Sequence, residues 1–486
     1  MAEIDDAYDP DFFREQGRRL VDRLADYLHA VRRGEDFAVL PWIEPSVILD
    51  RWPAAFPERP NSSRGTLDAL FGRVIADSTH LHHPRFVGHQ VTAPLPSAAL
   101  AEMLAALLNN GMAVYEMGPA ATAMERAVID WLSGQIGFGP DAGGLLTSGG
   151  SVGNLTALLA ARQARAGFDA WTEGSAGGPP LAVLASGQTH YCVQRAVQIM
   201  GWGAEGAVAV PVDDRFRMRP DALEAARECA MRAGRRVIAV VASAASTSTG
   251  AFDPLEPIAD FCEESGLWLH VDGAHGAAAA LSPKYRGLVA GIERADSVVW
   301  DAHKMMLMPA LVTAVLFRDG ARSYEAFAQQ ASYLFEGRDP SDEWFNGATR
   351  TLECTKRMMG LKLYAALTVH GTAMFSEYVT EMFDLARRFA SRVAEAPDFE
   401  LAVEPEANIV CFRFIGSPAA TGPMRDSLQD ELRSRVIVDG GFYLVRTALP
   451  EGVFLRVTII NPATTDADLA ALLDAIREAA RIISDR

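Results

Sequence analysis

Five short, almost unbroken apolar runs recur through the middle of the chain: LAVLAS at 181–186, VIAVVAS at 237–243, LWLHVD at 267–272, SVVW at 297–300 and LVTAVLF at 311–317. Runs this short and rich in β-branched residues, without one-sided alternation, predict strands buried on both faces of a parallel sheet, with helical segments as crossovers. Upstream, residues 11–31 place Phe13, Leu20, Val21, Leu24, Tyr27, Leu28 and Val31 at helical spacing, an amphipathic helix that needs a partner surface in its own domain or in another subunit. Prolines at 41, 45, 53, 57 and 60 then exclude a continuous helix and predict an extended connector. Further helices are expected over 66–79, 96–109 and 119–136. After about residue 345 the pattern changes to long helices at 353–370 and 374–395, strands at 408–414 and 453–460, and a C-terminal helix from 465. The alternation implies an α/β domain followed by a smaller α+β domain.

Composition narrows the function classes. With 62 acidic against 45 basic residues the formal charge is −17, and no Lys/Arg block offers a track for a phosphate backbone, so a nucleic-acid partner is not expected. No run approaches the roughly 18 apolar residues of a membrane span. The acidic start MAEIDDAYDP does not read as a secretory signal. Five cysteines without a C-x-x-C pair argue against a disulfide framework and a zinc site, and fit a reducing cytoplasm. His80, His82 and His83 lie close together but would point to different faces of any regular element, without a carboxylate or cysteine ligand set, so no metal is expected there. Only four of the 45 basic residues are lysines, Lys284, Lys304, Lys356 and Lys362, which makes each one informative about a need for an amine.

Chemistry gathers at the ends of the apolar runs. Lys304 follows SVVW in DAHKMM, in apolar sequence that would desolvate the amine and favour a nucleophilic, Schiff-base-forming lysine; a lysine snorkelling at a strand end is the alternative. Asp272 closes LWLHVD, a strand too apolar to bury a carboxylate unless a cation or strong donor meets it, and a pyridinium nitrogen or a structural loop contact would serve. His190, after LAVLAS, would reach the same sheet edge, where a flat imidazole could stack on an aromatic ring. His303 adjoins Lys304 and could donate to a phosphate. In GGLLTSGGSVGNLTALLAAR, a Ser/Gly loop at 148–151 opens a strongly helical run, the arrangement of an anion-binding helix start or simply of a glycine-rich turn. It is not a nucleoside-triphosphate P-loop and lacks dinucleotide-fingerprint spacing. An amine, a buried carboxylate, a flat histidine and an anion site together suit pyridoxal 5'-phosphate.

These motifs carry a resemblance. FREQGRRLVDRLADYL, HPRF, TSGGSVGNLTALLAAR, GQTHYCVQRA, GAFDPLEPIADFC, LWLHVDGAHG, GIERADSVVWDAHK, ASYLF and FLRVTIINPATT span almost the whole chain and resemble the pyridoxal-phosphate-dependent group II amino acid decarboxylases of glutamate, cysteine sulfinate, diaminobutyrate and aromatic amino acids. The resemblance implies an aspartate-aminotransferase-like, fold type I large domain (86–350) with a mainly parallel sheet. It also implies an N-terminal helical arm (1–85) that wraps a homodimer partner, and a C-terminal small domain (351–486). It implies Lys304 as the cofactor-bearing lysine, Asp272 at the pyridine nitrogen, His190 on the ring, and Ala274 packed against the cofactor. Gly150, Ser151, Asp301 and His303 fall where such enzymes hold the phosphate. Tyr333 in ASYLF matches a mobile-loop tyrosine that protonates the α-carbon, and Arg456 in FLRVTIINP an arginine that holds a substrate carboxylate.

The implied activity is conversion of an L-amino acid to its amine and carbon dioxide. A decarboxylation-dependent aldehyde synthase of the same family differs at the mobile-loop tyrosine, which Tyr333 retains. A non-catalytic dimeric scaffold would not need Lys304, Asp272 and His190 together. Two positions depart from the common pattern: Ala302 replaces a proline before the lysine motif's histidine, and His275 replaces an aromatic in DGAHG and becomes a candidate substrate or cofactor contact.

Overall fold

The apolar runs become a seven-stranded sheet in a computed structural model that describes residues 2–34, 37–52, 54–59, 65–325, 327, 344–416 and 422–485. Its strands are β1 (Gly143–Thr147), β2 (Leu181–Ser186), β3 (Ala207–Val210), β4 (Arg236–Ser243), β5 (Trp268–Asp272), β6 (Ser297–Asp301) and β7 (Thr313–Phe317), in the order β1-β7-β6-β5-β4-β2-β3. Every residue of β2, β5, β6 and β7 is buried, as is all of β4 but Arg236, which is why these strands read as unbroken apolar runs. Pairings β2/β3, β2/β4, β4/β5 and β5/β6 are parallel. β7 runs the other way, antiparallel to both β6 and β1, so the LVTAVLF run is the exception to the parallel reading. The turn from β6 to β7 is too short for a crossover helix, and an antiparallel neighbour needs none.

The chain divides into two compact units. The unit of residues 90–390 and 401–411 holds the whole seven-stranded sheet. Two of its helices start where the sequence supplies proline at the first turn, Pro96–Leu108 and Pro119–Gln135. The helical pattern of 353–370 begins later than expected, at Gly360, because Lys356 turns inward: its Nζ donates to Glu125 Oε1 at 2.5 Å and to the Leu146 carbonyl at 2.8 Å. From there the helix runs to Glu395 with a break at Gly371, whose φ of 73° only glycine adopts without strain.

The unit of residues 1–89, 391–400 and 412–486 contains the amphipathic helix Pro10–Val31 and the C-terminal helix Asp466–Ser484, the latter opened by a Thr465/Asp468 capping box. A second sheet orders β8 (Phe399–Leu401), β9 (Ile409–Phe414), β10 (Val445–Leu449) and β11 (Gly452–Thr458) as β10-β11-β9-β8. The clustered histidines are spent on structure: His80 Nδ1 meets the Tyr27 hydroxyl at 3.1 Å and His83 Nδ1 accepts the Arg85 amide at 3.1 Å. Among the described residues no group of ligands suited to a metal occurs, and no helix is long and apolar enough to cross a membrane.

Candidate active site

Parallel strands end at one edge of a sheet, and the loops beyond those ends are where such folds hold ligands. Here the carboxyl ends of β1, β2, β4, β5 and β6 surround a cleft of about 290 Å³. Its lining includes Gly150, Ser151, His190, Asp272, Ala274, His275, Asp301, His303 and Lys304, so most of the residues singled out in the sequence meet in one place. Tyr333 lies outside the described residues. Arg456 belongs to the other unit, buried on β11 opposite Val445 of β10, and its charge helps lower the pKa of His89, which burial lowers most.

Each wall has a distinct chemistry. At the end of β1, the helix Gly150–Arg165 begins from Gly149, whose φ of 123° excludes most side chains and whose N-cap position offers no side chain to the first-turn amides. A Cβ at Gly150 would lie 3.1 Å from both Asp301 carboxylate oxygens, so a side chain there would press on Asp301. At the end of β2, His190 caps the helix Tyr191–Ile199, its Nδ1 accepting the Cys192 amide at 3.3 Å, which leaves Nε2 to carry the proton of the neutral ring. Burial chiefly, and the nearby Lys304 charge, lower its pKa, while Asp272 and Asp301 oppose the shift. Asp272, buried at the end of β5, accepts the Ala274 amide at 3.2 Å, and that bond aims its carboxylate. The turn that follows depends on Gly276, where a Cβ would come within 2.4 Å of the Ala245 backbone nitrogen.

At the end of β6, Lys304 Nζ lies 3.1 Å from Asp301 Oδ2, and the Thr313 hydroxyl donates to Asp301 Oδ1 at 2.5 Å. The apolar surroundings expected for this lysine thus include a carboxylate partner. His303 Nε2 is 3.5 Å from the same carboxylate and its Nδ1 lies against the backbone of Val312. His275 is almost fully buried, with Nε2 2.7 Å from Asn408 Oδ1. Ala302 is buried, and its amide donates to the Val312 carbonyl at 3.0 Å, a bond that proline could not make.

Sequence reasoning passed over other parts of the lining. Ser246 and Thr247 belong to AASTSTG, directly beyond β4, and the strand-end rule applied there would have found them. Asn154 also lines the cleft, and a lone amide in the buried face of GNLTALLAA was its signal. Cys192 gave none; burial pushes its thiol pKa up, so it is an inert wall rather than a nucleophile.

The chain matches the model of the pyridoxal-dependent decarboxylase conserved domain over residues 45–415. It is 29% identical over 474 residues to the aromatic-L-amino-acid decarboxylase of Bacillus atrophaeus, covering 97% of this chain and 96% of that protein. To human cysteine sulfinic acid decarboxylase it is 31% identical over 457 residues, covering 92% of each. A crystal structure of mouse CSAD in apo form superposes with a TM-score of 0.90 at 27% identity, over 97% of this chain and 99% of that one. The cleft suits the cofactor these relatives imply: an uncapped helix start for a phosphate, a lysine amine for an aldehyde, and a buried carboxylate for a ring nitrogen. The chain belongs to the pyridoxal-dependent decarboxylase family, as a fold type I carboxy-lyase that works with pyridoxal 5'-phosphate.

Proposed function

We propose that the protein decarboxylates an L-amino acid to the corresponding amine through a cofactor held covalently by Lys304. The observation that carries this reading is the convergence of Lys304, Asp272, His190 and the helix start at Gly150 on one cleft. Bound there, pyridoxal phosphate supplies an electron-poor ring that accepts the electron pair left on the α-carbon when carbon dioxide departs. Asp272, fixed by the Ala274 amide, holds a proton on the ring nitrogen, because a buried anion favours the charged form of a cation beside it. His190, kept in place by its capping bond, would offer its flat face to the ring. First-turn amides at Gly150 and Ser151 would hold the phosphate, and Ala274 would pack against the cofactor. Asp301 lies on the lysine side of this arrangement: its carboxylate orients the Lys304 ammonium, and an anion would repel a phosphate. His303, beside the same carboxylate, is the neighbouring donor for that phosphate. Tyr333 would return a proton to the α-carbon, and the Lys304 amine would take back the cofactor's aldehyde carbon as the product amine leaves.

The proposal extends to substrate class. Arg456 in the FLRVTIINP motif favours an amino acid that offers it a carboxylate, and His275 on the cleft wall is a substrate or cofactor contact. The protein works as a homodimer in the cytoplasm. Relatives named for aromatic and for sulfinic substrates lie at similar identities, 29% and 31%, so residues rather than overall identity carry this part.

Purified protein should show a visible absorbance band that borohydride abolishes and that is missing from Lys304→Ala. If wild type shows no such band, the role given to Lys304 is wrong. A panel of L-amino acids assayed for carbon dioxide, amine and hydrogen peroxide should give amine without peroxide, with acidic substrates leading. Peroxide with aldehyde would replace the reading by an oxidative one.

A further inference from the structure

Beneath the cleft, a line of polar groups crosses an interior that packing alone would fill with apolar side chains. His270, Ser297 and Asn154 are all at most 1% exposed, and His270 and Ser297 face each other across β5 and β6. The Trp268 indole nitrogen donates to Ser297 Oγ at 2.8 Å, and Ser297 Oγ lies 2.9 Å from His270 Nδ1. His270 Nε2 is 2.8 Å from Asn154 Oδ1, and Asn154 Nδ2 donates to the Gly150 carbonyl at 2.9 Å and to Cys192 Sγ at 3.5 Å. An amide oxygen can only accept, so the neutral imidazole gives its Nε2 proton to Asn154 Oδ1, and its bare Nδ1 then accepts the Ser297 hydroxyl proton while Ser297 Oγ accepts from the indole. Burial pushes the His270 pKa down to about 4, so near neutrality the ring keeps this single tautomer.

The chain of bonds ends at functional places. Gly150 opens the helix that faces the anion end of the cleft, and Cys192 lies in the first turn of the helix capped by His190. His270 is two residues before Asp272 on the same strand and therefore shares its face of the sheet. We propose that His270 and Asn154 are positioning residues for the cofactor, fixing both helix starts against the strand that ends in Asp272. They thereby set the spacing among the phosphate site, the His190 ring and the carboxylate. The proposal rests on the reading of the cleft given above. A cofactor gripped at two ends needs that spacing held to a fraction of an ångström. An apolar pair of matching shape would keep the interior as stable, which is why stability alone does not explain the polar line.

Titration of the full-length apoprotein with pyridoxal phosphate, read by visible absorbance alongside unfolding midpoints, tests the inference. His270→Gln can still accept from Ser297 and donate to Asn154, and should keep cofactor affinity within about threefold, whereas His270→Leu should lose about tenfold or more and shift the absorbance band. Ser297→Ala removes one hydroxyl and should cost about threefold or more, and it carries the decision if His270→Leu does not fold. Unchanged affinity and band in these variants, or lowered stability with both unchanged, overturns the positioning role. Wild-type protein that binds the cofactor through a borohydride-reducible bond to Lys304 establishes the cleft separately, so failure of the variants to respond would count against this inference alone.

Discussion

His270 shows what a single buried ring does to the whole protein's response to acid. Its pKa is pushed down to about 4 by burial, against an ordinary value of 6.5, so between those limits the unfolded chain takes up a proton that the folded chain refuses. Its share of stability is therefore complete above pH 6.5 and falls as the pH drops toward 4, with about 2 kcal/mol gone at pH 5. His82 and His83 add the same sign, since burial also lowers each of them to about 4. Urea midpoints measured from pH 7.5 to 5 should fall steadily, and the fall should be shallower in His270→Gln; a flat profile would contradict the buried neutral state. At this scale Lys304, Asp272 and His190 were legible because a reactive side chain closing an apolar run has few structural uses. Asn154 and Cys192 were not, because their importance comes from neighbours brought close only by the fold.

Among elements, the approach of the helix Pro119–Gln135 to β1 is fixed by an ion pair. Lys356 Nζ and Glu125 Oε1 are 2.5 Å apart with side chains only 1% and 11% exposed, and the same Glu125 oxygen accepts the Leu146 amide at 3.1 Å. Lys356→Met should destabilise the fold by about 3–5 kcal/mol by leaving Glu125 buried and unpaired, whereas adding Glu125→Leu should recover most of that loss. Denaturant unfolding of the single and double variants checks this, and equal losses in both would refute it. Strands were easy to read at this scale because burial on both faces leaves a continuous apolar run. The reversal of β7 and the late start of the helix at Gly360 were not, since each depends on what the chain meets in space: an antiparallel neighbour in one case, Glu125 in the other.

For the whole molecule, the helix Pro96–Leu108 leaves an apolar face uncovered within the single chain. Leu100, Leu104, Leu107 and Leu108 are 49–64% exposed, while Ala98, Ala101 and Ala105 of the same helix are buried. A monomeric surface seldom carries such a stripe, and a second copy of the chain is the partner the proposed homodimer supplies. Sedimentation should therefore give twice the 52.5 kDa chain mass, and Leu104→Arg should shift the population toward monomer and lower activity with it. A wild-type monomer would exclude the dimer. Sequence patterning predicted a helix there but could not say which of its faces stays uncovered, because that is settled by what meets its other face, where Ala105 packs with Met112, Ala121 and Met358.

The four lysines have a practical consequence. Lys356 and Lys362 are 1% and 2% exposed and Lys304 is 18% exposed, while Lys284, the open one, is held by Asp384. Aldehydes and other amine-seeking reagents ordinarily scatter over many surface lysines, and on this protein that background is nearly missing. A peptide map after reductive labelling should therefore carry its tag on the Lys304 and Lys284 peptides, the second serving as a built-in surface control, with arginine setting most tryptic boundaries.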